Sequence, residues 1–257
     1  MKKPILWLIL ILIVALGGGA ALYFWPENEK PEPQVQQQPA APPEPPIRHP
    51  IEPAAPPAEP LPSLAESDSA MRDALAGLFG QKVEEFFNLQ DIIHRVVATV
   101  DSLPREDVPL RLMPVKPVAG RLVTTGKGES LTLSPKNAAR YGAYVHLAEA
   151  VPTGPLVAVY VRFYPLFQQQ YEDLGYPDKY FNDRLVEVID HLLAAPEVQE
   201  PVLLTQPKVL YQFADPKLEE LSAGQKVLVR MGGENTAKVK AKLREIRSAV
   251  ASKVPKE

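Results

Sequence analysis

The sequence predicts a mainly α-helical (α+β) globular domain that follows an N-terminal transmembrane helix and a disordered proline-rich linker. Three observations support this prediction: an apolar run near the N-terminus, a dense series of prolines after it, and apolar residues at helical spacing through the rest of the chain. The predicted domains are a cytoplasmic stub and transmembrane anchor at residues 1–25, the linker at residues 26–62, and an exported domain with a small β-hairpin or sheet at residues 63–257.

The apolar run at residues 4–25 is long enough to cross a membrane. As a helix it would extend about 33 Å, close to the hydrocarbon thickness of a bilayer. Lys2 and Lys3 precede it, and basic residues favour the cytoplasmic side, so the rest of the chain is expected to be exported. The alternative is a signal peptide cleaved at the small residues 18–21. The aromatic residues at 23–25 extend the apolar run past that point and favour an uncleaved anchor.

The segment from residue 26 to residue 62 contains 14 prolines. Proline has no N–H to donate, so the segment is not expected to form helix or sheet and should act as a semi-stiff spacer. The alternative is that proline-rich strings such as residues 42–46 are ligands for an aromatic-lined groove. The absence of a repeated motif favours the spacer.

The sequence of the exported domain predicts a series of amphipathic helices. The chain has no cysteine, so this domain must be stabilised by its core. Pro165 is expected to kink the longest helix, at residues 155–174. Ser67 and Asp68 are expected to cap the helix at residues 70–79, and Asn182 is expected to cap the helix at residues 183–193. The predicted helices are residues 70–79, 92–103, 138–147, 155–174, 183–193 and 236–250.

The remaining segments carry shorter signals. Residues 121–125 and 130–133 flank a Gly-Lys-Gly turn and predict a hairpin, while residues 202–205 and 209–213 resemble strands. Residues 104–120 predict a loop. A short helix is expected after Asp215, and residues 223–231 are ambiguous between strand and helix.

The C-terminal helix is basic on one side and apolar on the other. A helix of this kind can lie on an anionic membrane or bind nucleic acid, but predicted export excludes nucleic acid as a partner. Its narrow apolar stripe favours docking on the domain itself, with the basic side in solvent. Contact with the membrane surface is the alternative.

Catalytic signals are weak. Glu187, Asp190 and His191 resemble a metal-binding string, but their helical positions favour a solvated ladder of charges. Ser222 and Lys226 could form a Ser–Lys dyad, although Ser222 is equally suited to cap a helix. No cofactor or metal is expected. An exported hydrolase with such a Ser–Lys or carboxylate site remains an alternative function.

Tyrosines and arginines concentrate around the predicted kink and the Gly-Tyr-Pro turn at residues 175–177. A kink and a turn leave polar groups at the surface, and these residue types contribute strongly to binding. The alternative is that the arginines pair locally and the tyrosines complete the core. A further alternative uses the aromatic stripe between Tyr160 and Tyr171 as the wall of an amphiphile-binding pocket. The predicted partner-binding residues are Arg162, Tyr164, Tyr171, Tyr176, Tyr180, Asn182, Asp183 and Arg184.

Several strings resemble one family of bacterial proteins, the domain-of-unknown-function family DUF3014. They include VDSLPR at 100–105, YVRFYPLFQ at 160–168, YFNDRLVEVIDHLL at 180–193 and KAKLREIR at 240–247. The resemblance covers most of residues 63–250 and implies a single-span protein of the bacterial envelope with no assigned activity. Taken with the sequence patterns, it leads us to expect an inner-membrane protein with a cytoplasmic N-terminus and a periplasmic domain. That domain is expected to be a non-catalytic binding or scaffold module for another envelope protein or an envelope polymer.

Overall fold

Helices make up most of the described chain. The structure is a computed structural model that describes residues 47–51 and 60–251. Short 3-10 turns at Leu64–Glu66, Gly80–Lys82, Leu110–Leu112 and Gly128–Ser130 join longer elements. The α-helices within the described residues are α1 Ser67–Phe79, α2 Val83–Phe86, α3 Ile92–Ser102, α4 Lys136–Ala150, α5 Thr153–Asp173, α6 Phe181–Leu193, α7 Pro216–Glu219, α8 Ala223–Arg230 and α9 Gly233–Val250.

The β structure consists of two small antiparallel pairs. Strand β1, Thr124–Thr125, pairs with β2, Thr132–Leu133, around the predicted Gly-Lys-Gly turn. Strand β3, Leu204–Thr205, pairs with β4, Gln212–Phe213. These pairs confirm the predicted mainly helical domain with a small β element. The ambiguous segment at residues 223–231 is helical in the structure, as α8.

The predicted N-terminal caps of the helices now called α1 and α6 were wrong. Ser67 begins α1 as a helical residue, and Asp68 instead accepts hydrogen bonds from the backbone N–H groups of Asp91 and Ile92, at 2.8 and 3.2 Å. Asp68 therefore satisfies the first donors of α3, and not those of its own helix. Asn182 lies inside α6, and Tyr180 holds the cap position.

The core is built from the apolar faces of α1, α3, α5 and α6. Ile93, Val97, Phe163 and Phe181 are almost completely buried there. Since α5 contacts α1, α3, α6 and α9, the 21-residue helix α5 organises the bundle. Pro165 lies within it and removes one backbone hydrogen bond.

The basic helix α9 docks on the domain, packing against α4, α5, α6 and α8. Its basic residues are less solvated than the sequence indicates. Lys240 is buried and donates to the Ala195 carbonyl at 2.5 Å. Lys242 donates to the Val151 carbonyl at 3.0 Å. The helix is therefore fixed by hydrogen bonds from its own lysines as well as by its apolar stripe.

The predicted anchor at residues 4–25 and most of the predicted linker lie outside the described residues. Among the residues that are described, no helix combines the length and apolar character needed to cross a membrane. Residues 47–51 belong to the predicted linker, and the structure places them against the helical domain. The boundary at residue 63 stays a prediction.

One close approach fixes how α8 meets α3 and α6. A Cβ on Gly224 would lie 2.6 Å from Leu192 Cδ2 and 3.1 Å from the Leu103 carbonyl oxygen. We expect Gly224→Ala to lower the free energy of unfolding by about 1–3 kcal/mol, because buried overpacking forces neighbours apart. Gly142→Ala in α4 is the matched control: nothing lies within 4 Å of its Cβ position, so stability should rise by about 0.4–1 kcal/mol. Urea unfolding of both variants measures the difference, and equal effects would contradict the packing described.

Candidate binding site

A cleft of about 630 Å³ lies where α3 ends, α5 turns into α6 and residues 47–51 cross the surface. We call residues 47–51 the strap. Polar and aromatic side chains converge on this cleft. Its lining includes Ile47, Arg48, Asp101, Gln168, Tyr171, Tyr176, Tyr180, Asp183, Arg184 and Glu187.

The backbone of the strap is held by three side chains at the start of α6. The Asp183 carboxylate accepts from two successive N–H groups, those of Arg48 at 2.9 Å and His49 at 2.7 Å. Asp183 lies in the first turn of α6, where the helix dipole favours negative charge. Asn182 Nδ2 donates to the His49 carbonyl at 2.8 Å. These contacts are made with the backbone of the strap, which bends at Arg48 and His49, and they do not depend on its side chains.

The Tyr180 hydroxyl completes this recognition by accepting from the Ile51 N–H at 2.8 Å. The Ile51 side chain packs against the core cluster of α1, α3 and α5. The strap is therefore anchored by a polar contact and an apolar contact at the same residue.

Beneath the strap, Asn182 is completely buried and fully hydrogen-bonded. Its Oδ1 accepts from the Tyr160 hydroxyl at 3.1 Å, and its Nδ2 also donates to the Val250 carbonyl at 2.9 Å. Its backbone N–H donates to the Tyr164 hydroxyl at 3.3 Å. Burial raises the pKa values of Tyr160 and Tyr164 well above the usual value for tyrosine. Both hydroxyls therefore stay protonated and able to donate.

At the other end of the cleft, the buried Asp101 carboxylate joins α3 to α6. Arg184 Nε lies 3.3 Å from Oδ1 as an ion pair without hydrogen-bond geometry, and Arg184 Nη2 donates to the Asp101 carbonyl at 3.0 Å. Arg105 and the Tyr176 hydroxyl both donate to Oδ2. Coulombic attraction to Asp101 is the main cause that raises the pKa of Arg105. Two cations thus balance one buried carboxylate, which offsets its desolvation.

Tyr171 forms the floor of the cleft. Its ring stacks on that of Tyr176, with centroids 4.6 Å apart, and the residue is 2% exposed. Burial raises its pKa to about 12. Within the described residues, no hydrogen bond is formed by its hydroxyl, and the residue belongs to the buried core cluster.

The structure brings together most of the predicted partner-binding residues. Tyr171, Tyr176, Tyr180, Asp183 and Arg184 line the cleft. Asn182 and Tyr164 lie beneath it and hold its wall. Arg162 is exposed elsewhere on α5, with its guanidinium 5.4 Å from the Phe163 ring centroid, and does not contribute. The alternative of local pairing and core packing holds for Arg184, which also pairs with Glu187 at 3.0 Å, and for Tyr164 and Tyr171, which are buried in the core cluster.

Sequence reasoning missed Asp101, Gln168 and the strap. Asp101 lies within the apolar stripe of α3, where a carboxylate four residues before Arg105 is a usable signal for a buried ion pair. Gln168 accepts from the Phe181 N–H at 2.8 Å, and no pattern in the sequence marks it.

The residues considered for catalysis have structural partners. Ser222 caps α8 by accepting from the Gln225 N–H at 3.3 Å, and its hydroxyl lies 2.8 Å from His191 Nε2. Lys226 pairs with Glu219 at 3.1 Å. Asp190 pairs with Arg247 through two hydrogen bonds, which lower the pKa of Asp190. Across the described ranges, no group of three or more His, Cys, Asp or Glu side chains could hold a metal ion.

The chain matches the family described as "Protein of unknown function (DUF3014)" over residues 92–247, more than half of its length. It belongs to this family. No curated protein and no solved structure matches the chain. The matched region contains the whole α5–α6 wall of the cleft and Asp101, whereas the strap precedes it. The DUF3014 match therefore covers the α5–α6 wall of the candidate cleft and assigns no activity to it.

Ionisation of Tyr171 should cost stability at high pH. Its pKa is about 12 in the folded chain and about 10 when unfolded, so the stabilisation is complete below pH 10 and is lost as the pH rises through 12. We expect Tyr171→Phe to leave stability at pH 7 almost unchanged and to flatten the decline above pH 10. Absorbance at 295 nm measures the ionisation directly. If the difference in stability between wild type and variant developed near pH 10 instead of near pH 12, the burial described would be contradicted.

Proposed function

We propose that this chain is an envelope protein, anchored in a bacterial inner membrane by one uncleaved helix, with a periplasmic domain that acts as a non-catalytic binding module. Its ligand is a polypeptide segment of another envelope protein that bends as the strap does. The observation that carries this proposal is the strap: Asp183, Asn182 and Tyr180 hold four backbone groups of residues 48–51.

Recognition of this kind suits a bent ligand, because a bend can turn two successive N–H groups to the same side. A carboxylate that accepts from two N–H groups makes charge-assisted hydrogen bonds, which are stronger than neutral ones. Pro50 restricts the backbone of the strap, so less conformational entropy is lost on binding than for a flexible chain. The space beside the strap, with Tyr171, Tyr176 and Arg184 at its wall, offers residue types that dominate binding energy at interfaces.

The geometry supports binding better than hydrolysis. Ser222 is used as a helix cap, and Lys226 pairs with Glu219. Neither lines the cleft. The hydrolase alternative would need Ser222, which is buried, to leave its cap.

A peptide with the sequence of residues 44–52 tests the binding mode. In a full-length variant whose residues 47–51 are replaced by Gly and Ser, the fluorescent peptide should bind, since its site is vacated. It should bind the wild type far more weakly, because a tethered strap competes at an effective concentration of about 1 mM.

Asp183→Asn, added to the same strap-replaced chain, should lower the affinity for the peptide by about 10- to 100-fold. The reason is that charge-assisted hydrogen bonds contribute about 1.5–3 kcal/mol. Asp178→Asn is the matched control: Asp178 also lines the cleft but does not contact the strap backbone. Fluorescence anisotropy measures both. Equal affinity in the two variants would show that Asp183 does not recognise the backbone.

The proposed topology has its own test. Lys2 and Lys3 before the apolar run predict that Glu257 is periplasmic. A reporter that is active only in the cytoplasm should be silent when fused after Glu257, and the mature chain should keep its original N-terminus. An active fusion, or a mature N-terminus near Ala21, would refute the proposed anchor.

A further inference from the structure

We infer that a second pocket, separate from the cleft beside the strap, binds a phosphate monoester through Lys240 and Arg230. The pocket has a volume of about 520 Å³ and lies between the first turns of α9, the start of α4 and the loop that follows α6. None of the residues that line it also lines the cleft. The inference therefore does not depend on the proposed peptide binding.

The buried ammonium of Lys240 is the observation that points to an anionic ligand. Lys240 is 5% exposed and lines the pocket. Its Nζ donates one hydrogen bond, to the Ala195 carbonyl at 2.5 Å, which leaves two of its three N–H groups unused within the described residues. A carbonyl is neutral, and burying a charge without an opposite charge nearby is costly.

The second buried lysine of the described chain shows what Lys240 lacks. Lys226 is 8% exposed, and it pairs with the Glu219 carboxylate at 3.1 Å. By contrast, no carboxylate of the described residues lies within 4 Å of Lys240 Nζ. An anion in the pocket supplies the opposite charge that the protein itself does not provide.

Two further donors line the same pocket. The guanidinium of Arg230, at the end of α8, forms no hydrogen bond or ion pair with the described residues and lies over the Phe213 ring, 5.6 Å from its centroid. The buried Ser134 hydroxyl accepts from the Lys136 N–H at 3.3 Å, but its own proton is donated to no acceptor in the described chain. Donors that lack acceptors are the groups that an anion requires.

The N-terminus of α9 adds a favourable dipole. Gly232 holds the cap position with a φ of 84° and has no side chain, so no side chain caps the first N–H groups of this helix. Gly232 and Gly233 both line the pocket. The positive end of an 18-residue helix therefore faces the place where the anion would bind.

The charge of the pocket favours a phosphate monoester over a carboxylate. Two cations balance a phosphate monoester, which carries about −1.5 to −2 at pH 7, whereas a carboxylate would leave one cation unpaired. A guanidinium also matches two phosphate oxygens. Glu197 and Glu200 line the pocket too, but both are exposed to solvent, which screens their charges. The volume is typical of small-molecule sites, so the phosphate belongs to a larger polar molecule.

The experiment is calorimetric titration of the full-length chain in nanodiscs of phosphatidylcholine. The probes are inorganic phosphate and glucose 6-phosphate, with acetate as the carboxylate for comparison. We expect both phosphates to bind at least about tenfold more tightly than acetate, a difference of about 1.4 kcal/mol. Equal affinity for acetate, or no binding of either phosphate, would overturn the inference.

A lipid headgroup and a soluble molecule are two sources of the same phosphate, and the composition of the nanodisc separates them. Discs with phosphatidic acid present a phosphate monoester on a lipid, and discs with phosphatidylglycerol present a diester as the charge control. Loss of glucose 6-phosphate binding in the phosphatidic acid discs alone identifies a lipid headgroup as the ligand. Unchanged binding in both identifies a soluble phosphate monoester.

Substitutions in the pocket make the result specific. Lys240→Met removes the ammonium and should lower the affinity for glucose 6-phosphate at least about tenfold. Arg230→Gln, at a partly exposed position, provides the same test if the buried variant does not fold. Lys238→Met is the matched control, because Lys238 lies on the same helix, pairs with Glu234 and does not line the pocket. Unchanged affinity in the folded pocket variants, or an equal loss in the control, would contradict the proposed site.

Discussion

The buried amide of Asn182 is the interaction on which the rest of the structure depends. This one side chain, with no exposed surface, bonds the strap at His49, the end of α9 at Val250 and α5 at Tyr160. Three segments distant in sequence therefore meet at one side chain with both hydrogens and an oxygen lone pair in use. A buried network of this kind specifies one arrangement, because any shift leaves a polar group without a partner.

A second polar centre, Asp101, fixes the opposite end of the cleft. Asn182 sets where α6 begins relative to α5 and α9, and Asp101 sets how α6 lies against α3 through Arg184. Between them the first turns of α6 are held rigidly, with Asp183 facing the strap. A carboxylate on a rigid helix end binds backbone N–H groups without first losing side-chain freedom, which is the physical basis of preorganised recognition.

The local part of this site could be predicted from the sequence, and the distant part could not. Tyr176, Tyr180 and Asp183 follow a Gly-Tyr-Pro turn, so their proximity is a consequence of chain geometry. Arg184 and Asp101 are 83 positions apart, and the strap contacts Asp183 across 135 positions. Such partners are chosen by tertiary packing, which periodicity does not encode. Asn182 was predicted as a cap because its residue type favours caps, but complete burial gives its amide long-range partners.

Tyr160 connects the apolar core of the bundle to the strap. Its ring packs against the core cluster of α1, α3 and α5, while its hydroxyl donates to the amide that also binds the strap. The long helix α5 thus presents one aromatic stripe to two environments, and a single tyrosine belongs to both.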